Sequence, residues 1–440
     1  MKRTNIMLLA FLVLWTIAAF ASDAVPAAKQ KKPIALIGGT VHTVSGGVLE
    51  HATILFDKGK IVAIGTTVTI PSDAERIDVS GKHVYPGLID SRTDMGLTEI
   101  GSVRGTIDIA ETGVINPNVR AEVAVNPESE LIPVARANGV TIVATAPRGG
   151  LISGLAAALM LDGWTTEDLT LKSGIGLVVN WPSMVYSPSG FFRTTKEEWQ
   201  KQRDDQLKLL RETFANARAY MTAKKAEQQK GIAYHDSDPR LQAMIPVLEG
   251  SIPVFVEANE MSQIQAAVTW AEEEGVKIVI VGGRDAWLVR DQLKAKNVPV
   301  IVTNIHTAPQ HQWQGFNEVF TLPMRLQEAG VRFSITGDGD ASNSRNVAYH
   351  AATAAAYGLP KEEALKSVTL YAAQILGIAD RVGSLETGKD ATLIVTTGDP
   401  LEPPTVTVQM FIQGKKIDLT NKHQQLYEKY KQRYKQLGAQ

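Results

Sequence analysis

Hydrophobic and polar positions divide the chain into three regimes. From Ile34 to Tyr85, short β-prone runs (Ile34–Ile37, Ala52–Phe56, Ile61–Ile64, Arg76–Val79) alternate with Gly, Asp-Lys-Gly and Pro-Ser-Asp turns, the pattern of a small all-β unit. Similar runs return at Ala391–Thr396 and Val406–Ile417. Between them, buried-type strand runs alternate with amphipathic stretches, which calls for a parallel sheet closed into a barrel. The pattern predicts strands at Val84–Ile89, Thr141–Ala146, Gly176–Asn180, Val254–Glu257, Lys277–Val281, Val300–Ile305 and Arg332–Thr336. It predicts helices at Lys196–Gln229, Gln263–Glu273, Trp287–Leu293, Pro323–Glu328 and Glu362–Ala373, and long loops from Asp94 to Gly139. The expected fold is therefore α/β: a (β/α)8 barrel over residues 86–384 and a small β-sandwich built from both chain ends, 33–85 and 385–420.

The termini read differently. Lys2 and Arg3 precede an apolar run from Ile6 to Ala19, and Ala19-Phe20-Ala21 offers the small-x-small pattern of a signal-peptidase site. Residues 1–21 are expected to be a cleaved signal peptide and the protein to be periplasmic or secreted. The run falls short of the ~20 residues that span hydrocarbon, so no stable membrane span is expected after its removal. Residues 22–32, rich in Ala, Lys, Gln and Pro, predict a flexible leader. Residues 421–440 predict a basic helical tail in which Tyr427, Tyr430 and Tyr434 form one stripe, with docking on the chain's own barrel as the simplest expectation.

Composition narrows the chemistry. The absence of cysteine excludes disulfides, thiolate metal sites and a cysteine nucleophile, so any metal would rest on imidazole, carboxylate or other oxygen ligands. With 45 Lys+Arg against 46 Asp+Glu, the chain has no global field for nucleic acid, and none is expected as a partner.

The segment His83-Val-Tyr-Pro-Gly-Leu-Ile-Asp90-Ser-Arg-Thr-Asp94 resembles the first barrel strand of the amidohydrolase superfamily, where Pro-Gly-Leu-Ile-Asp leads into a His-x-His pair. Gly358-Leu-Pro-Lys-Glu-Glu-Ala-Leu, and then Leu376 to Val395 with its Gly-Ser-Leu-Glu-Thr-Gly-Lys-Asp-Ala core, resemble that family's return from the last barrel helix into its β-sandwich. The similarity is greatest to the secreted imidazolonepropionase-like branch and covers about residues 34–420. It implies hydrolysis of carbon–nitrogen bonds other than those of protein backbones, in cyclic amides or dipeptide-like compounds. It also implies one or two divalent metals held by His-x-His, a bridging Lys or Glu on the fourth strand, a His on each of the fifth and sixth, and an Asp on the eighth.

This sequence departs from that set. Arg92 and Asp94 stand at the His-x-His positions, and the fourth strand ends in Asn180. The fifth places Glu257 where His is expected, followed by Asn259, and Gly282 takes the sixth-strand position ahead of Arg284. Asp338 keeps the eighth-strand place. A metal lowers the pKa of bound water from ~15.7 to ~7, whereas a carboxylate of pKa ~3.9 alone faces a mismatch of roughly 12 units, about 16 kcal/mol. The family's usual binuclear zinc-type site is not expected.

Three readings remain open. Asp94, Glu257 and Asp338 would form a rebuilt oxygen-ligand site for one divalent cation such as Mg, Mn or Ca. Alternatively, Arg92 and Arg284 supply the charge a metal supplies elsewhere and pair with those carboxylates, leaving a catalytically inactive barrel that binds a ligand or serves in assembly. The third is metal-free acid/base chemistry by paired carboxylates. Asp338, Glu257 and Arg92 are the candidate catalytic residues; Arg148, His306, Asn304, Asn259 and Arg284 are the candidates for binding a small-molecule substrate. Arg148 belongs to Arg148-Gly-Gly150, whose glycines read as tight-turn geometry. His306 shares a strand face with Asn304. The other histidines read as packing or surface residues, His350 as a helix-packing one. A homo-oligomer, or pairing with an intact homologue, is the protein partner this substitution pattern suggests.

Overall fold

The structure, a computed structural model, describes residues 25–186, 195–227, 234–303 and 305–438. Two eight-stranded sheets organise it. The first joins the chain ends: Ile34–His42, Val48–Asp57, Lys60–Gly65, Glu75–Asp78 and His83–Pro86 from the N-terminal side meet Leu393–Thr396, Thr407–Ile412 and Lys415–Lys416 from the C-terminal side. Its seam is the antiparallel pairing of Val84 with Val395 and Tyr85 with Ile394. Phe56, Phe411, Ile54 and Leu393 are buried in its core.

The second sheet is the barrel, with strands Leu88–Thr93, Val140–Thr145, Ile152–Met160, Thr170–Asn180, Val254–Ala258, Ile278–Gly282, Val300–Val302 and Phe333–Ile335 in sequential order. Ser91 of the first strand hydrogen-bonds Ser334 of the last at 2.8 Å, which brings the sheet edges together. Near-continuous Val and Ile runs suit strands covered on both faces. Lys196–Ala226, Pro239–Leu248, Met261–Glu274, Glu318–Glu328 and Val347–Ala356 supply the longer helices. The first opens on a capping box between Thr195 and Glu198.

Several expectations change in detail. Val84–Ile89 is two strands in two sheets, split at Gly87. A Cβ there would lie 2.1 Å from the Thr141 hydroxyl, so only glycine lets the chain pass between the layers. The third barrel strand, Ile152–Met160, runs antiparallel to both neighbours. Its Gly- and Ala-rich sequence carries little β signal, which is why patterning missed it. Gly149 and Gly150, at φ +87° and +65°, make the preceding turn, as turn geometry predicts. The stretch Glu362–Ala373 breaks at Thr369 (φ −137°, ψ −95°) into Lys361–Ser367 and Leu370–Ile375. The loop-rich interval 94–139 contains one short α-helix, Leu131–Ala137, and two 3-10 turns, Arg104–Thr106 and Ala121–Ala124.

The segment expected as a flexible leader is held at two points. The Ala27 amide donates to the Asp162 carboxylate at 3.2 Å, and the Gln30 side chain bridges the Phe56 carbonyl and the Gly59 amide, each at 2.9 Å. Asp162 is buried beside Arg136 (3.1 Å) and Lys415 (2.7 Å), so the leader amide completes a buried ionic hub. The signal-peptide stretch lies outside the described residues. Among the described residues no helix is long and apolar enough to cross a membrane.

Candidate functional site

The candidate residues lie at or just beyond the C-terminal ends of the barrel strands, where such barrels carry their sites. On the first strand the period of two separates two sets of side chains. Ser91 and Thr93 bond Ser334 and Ser344. Asp90, Arg92 and Asp94 form the other set, and each is tied to a different part of the mouth.

The Arg92 guanidinium grips Glu257 of the fifth strand, with Nε and Nη2 both 2.9 Å from Oε1. Its side chain is 8 % exposed and that of Glu257 26 %. Asp94 accepts from the Ala341 amide at 2.7 Å and pairs with Arg148 Nη2 at 3.2 Å. Arg148 also donates to the Gly339 carbonyl, linking the turn after the second strand to the loop after the eighth. Asp338 stands in that loop at φ +71°. Its carboxylate accepts from the Asp340 amide (3.3 Å) and the Asn343 side chain (3.0 Å). Burial raises its pKa above the ordinary carboxylate value, against those hydrogen bonds and the Arg148 charge.

Asp90 is the residue the sequence reading undervalued. It is fully buried, accepts from the Gly337 amide at 3.2 Å, and its Oδ2 has no hydrogen-bond partner among the described residues. Burial pushes its pKa up to about 7, with the nearby Asp338 charge adding to the effect. A buried carboxyl titrating near neutrality is a recognised mark of functional sites. The only advance signal was its place two residues before Arg92 on the same strand face.

The other candidates separate. His306 Nε2 lies 2.7 Å from the Thr353 hydroxyl, and its ring packs 4.1 Å from His350. Burial lowers the pKa of both, that of His350 to about 3, so the pair is neutral. Asn304 lies outside the described residues. The Asn259 amide donates to Gln263 Oε1 at 3.1 Å, and its side chain sits where a Cβ on Gly282 would come within 2.5 Å. Gly282, at φ +98°, is thus what lets Asn259 approach the end of the sixth strand. Asn180 is spent on the hairpin turn, donating to the Gly150 carbonyl (2.8 Å) and Ser153 (2.9 Å).

Arg284 does not pair with Asp94, Glu257 or Asp338 as expected. It follows two positive-φ glycines and lies 3.9 Å from Asp285, which also faces His311 at 3.2 Å. Nor do Asp94, Glu257 and Asp338 meet as a ligand set. One is bound by Arg92, one by Arg148 and one by its own loop, and no three His, Asp or Glu residues among those described form a group able to hold a metal ion. These residues do not fit the divalent ion that the resemblance implies, because a guanidinium stands where cation charge would be needed.

Comparison with known proteins gives a consistent picture. A family model described as "Amidohydrolase family" matches residues 259–418. The chain is 21 % identical over 388 residues to amidohydrolase tasK of Hapsidospora irregularis, covering 82 % of this chain but only 39 % of that protein. It is 25 % identical to the imidazolonepropionase of Pseudomonas putida over 79 % of this chain and 87 % of the relative. Among solved structures, an amidohydrolase from Thermotoga maritima MSB8 superposes with a TM-score of 0.78 at 27 % identity, over 88 % of this chain and 99 % of that one. A Xaa-Pro dipeptidase with bound methionine shares the fold at 15 % identity (TM-score 0.54, 88 % and 100 % covered).

Proposed function

The chain belongs to the amidohydrolase superfamily, on its imidazolonepropionase-like branch, a lineage of hydrolases acting on carbon–nitrogen bonds, and from that premise we propose that its barrel receives a small amide-containing ligand with the Arg92–Glu257 ion pair in place of the family's metal. The observation that carries this reading is that pair, at 2.9 Å. A guanidinium fixed on the fifth-strand carboxylate satisfies its charge without an ion. A half-emptied metal site would leave charge unpaired at a cost of several kcal/mol. Arg148, backed by Asp94 and 41 % exposed, is the cation available to a ligand carbonyl or carboxylate. The proposal includes export, with residues 1–21 removed, and cell fractionation tests that part.

Elemental analysis of protein purified without chelator, repeated on Asp338→Ala, tests the central claim. No divalent metal above background is expected in either protein. Stoichiometric metal in the parent that disappears from the variant overturns the reading.

A second reading, metal-free hydrolysis, is favoured by one observation: Asp90 titrating at about 7 beside Asp338, whose pKa is also raised. Asp90 supplies both the acid and the base form near neutral pH that such chemistry requires, with the Asp338 carboxyl beside it. Cleavage of dipeptides or cyclic amides that persists with EDTA and is lost in Asp338→Asn selects this reading. Binding without turnover selects the first.

A further inference from the structure

The C-terminal helix, Lys422–Gln436, is capped by Asn421 and has no buried residue. Leu426, Tyr427, Tyr430, Tyr434 and Leu437 fall within about 100° of one face at 100° per residue, and the three tyrosines are 47–63 % exposed. The helix meets the body through the Leu131–Ala137 helix and a 3.4 Å contact between His423 and Arg345. Among the described residues, 424–438 make no side-chain hydrogen bond or ion pair to the body, so the expected docking on the chain's own barrel is not what the structure shows. The helix carries five Lys or Arg residues against one Glu.

A second surface has the opposite character. The long loop after the first barrel strand, residues 98–130, carries six acids against two arginines, and one of those arginines, Arg120, is paired with Glu122 at 2.7 Å. Asp108, Glu111 and Glu128 are exposed there, interleaved with exposed Ile100, Val114 and Val123. The chain thus displays a basic apolar helix and an acidic apolar loop region, neither covered by the described residues.

We propose that the tail helix of one copy docks on the 98–130 region of a second copy, in a reciprocal two-fold exchange. Each copy offers both surfaces, so one closed dimer satisfies all four. Direct pairing of two tail helices is disfavoured because both carry the same excess of positive charge. A 15-residue helix is about 22 Å long and 10 Å across. By that footprint two such contacts bury roughly 900 Å² in total, counting both surfaces, the low end of specific interfaces. The occupied loop follows the Arg92 strand, so the partner's helix borders the barrel mouth. The inference does not depend on how that mouth works.

Sedimentation velocity on the purified chain, residues 25–440 intact, tests it with three charge variants. K431E/R433E/K435E and D108K/E111K/E128K should each weaken the dimer at least about tenfold, and the six substitutions combined should restore it. Higher salt should weaken the parent dimer as well. Since the helix buries no residue within one copy, thermal melting of the helix variant should match the parent at concentrations where both are monomeric. A parent that stays monomeric at about 100 μM, well above the dissociation constants of specific complexes, overturns the proposal. So does a dimer indifferent to both triple variants, or a monomer that co-floats with phosphatidylglycerol vesicles and thereby identifies the occupant as lipid.

Discussion

Replacing Glu257 by Gln removes one charge from the Arg92–Glu257 pair while keeping its shape, and the outcome follows from how the two side chains are buried. At about 4 Å between charge centres and an effective dielectric of ~20, the gross attraction is about 4 kcal/mol. Glu257 is a quarter exposed and recovers part of that by hydration, but Arg92, at 8 % exposure, keeps, among the described residues, the Thr93 carbonyl at 3.3 Å as its one further acceptor. Glu257→Gln should therefore destabilise by about 2–3 kcal/mol, below the ~3–5 of a fully buried pair. Arg92→Met should cost less, about 1 kcal/mol, because the carboxylate it strands reaches water. The double variant Arg92→Met/Glu257→Gln should lie within about 1 kcal/mol of the parent, giving a coupling of about 2–3 kcal/mol in a double-mutant cycle. Urea denaturation at pH 7, read as midpoint and slope together, measures this. Additive single effects, or a Glu257→Gln shift below about 0.5 kcal/mol, would refute the argument. Stabilisation of the parent, but not of Glu257→Gln, by added Mg, Mn or Zn would refute it from the other side, by showing Glu257 to be a metal ligand.

Asp90 predicts a pH dependence. Its folded pKa of about 7 lies above the ordinary value of 3.8, so the stability its protonation contributes is complete below about pH 4 and is lost as pH rises through 7. Asp90→Asn should flatten that slope in denaturant midpoints taken from pH 5 to 8; an identical slope in both proteins rejects it. Burial, which holds His350 near 3, acts in the opposite direction, so the difference between the two proteins is the quantity to read. Gly87→Ala should destabilise by at least ~2 kcal/mol through overpacking against Thr141, with Thr141→Gly giving partial relief; soluble expression and melting of both variants check it. Asp162→Ala leaves the buried Arg136 charge and the partly exposed Lys415 charge without their shared carboxylate and the Ala27 amide without its acceptor. It should cost about 3–5 kcal/mol and free residues 25–33 to proteolysis, and unchanged protease resistance would count against the hub.

Much of the fold is legible in the sequence. Alternating β runs at both ends and strand–helix alternation between them specify a barrel and a sheet shared by the termini, because burial on one or both faces of a strand imposes those periods locally. The antiparallel third strand was not legible, since Gly-Ala sequence carries almost no local preference and its direction is set by the strands beside it. Nor was the fate of the two halves at Gly87: Pro86-Gly87 is a local breaker, but the close approach of Thr141, which sends them into different sheets, is a tertiary contact.

At the site, the sequence by itself determined which residue types occupy the strand ends: arginine, asparagine and glycine where imidazole and bridging groups were expected. It also placed Asp90, Arg92 and Asp94 on one face through the two-residue period. Only the tertiary structure decided the partners. It gave Arg92 to Glu257 and Arg148 to Asp94, and it buried Asp90 far enough to move its titration to neutrality. Pairing and burial depend on distances between strands far apart in the chain, and no local preference encodes them.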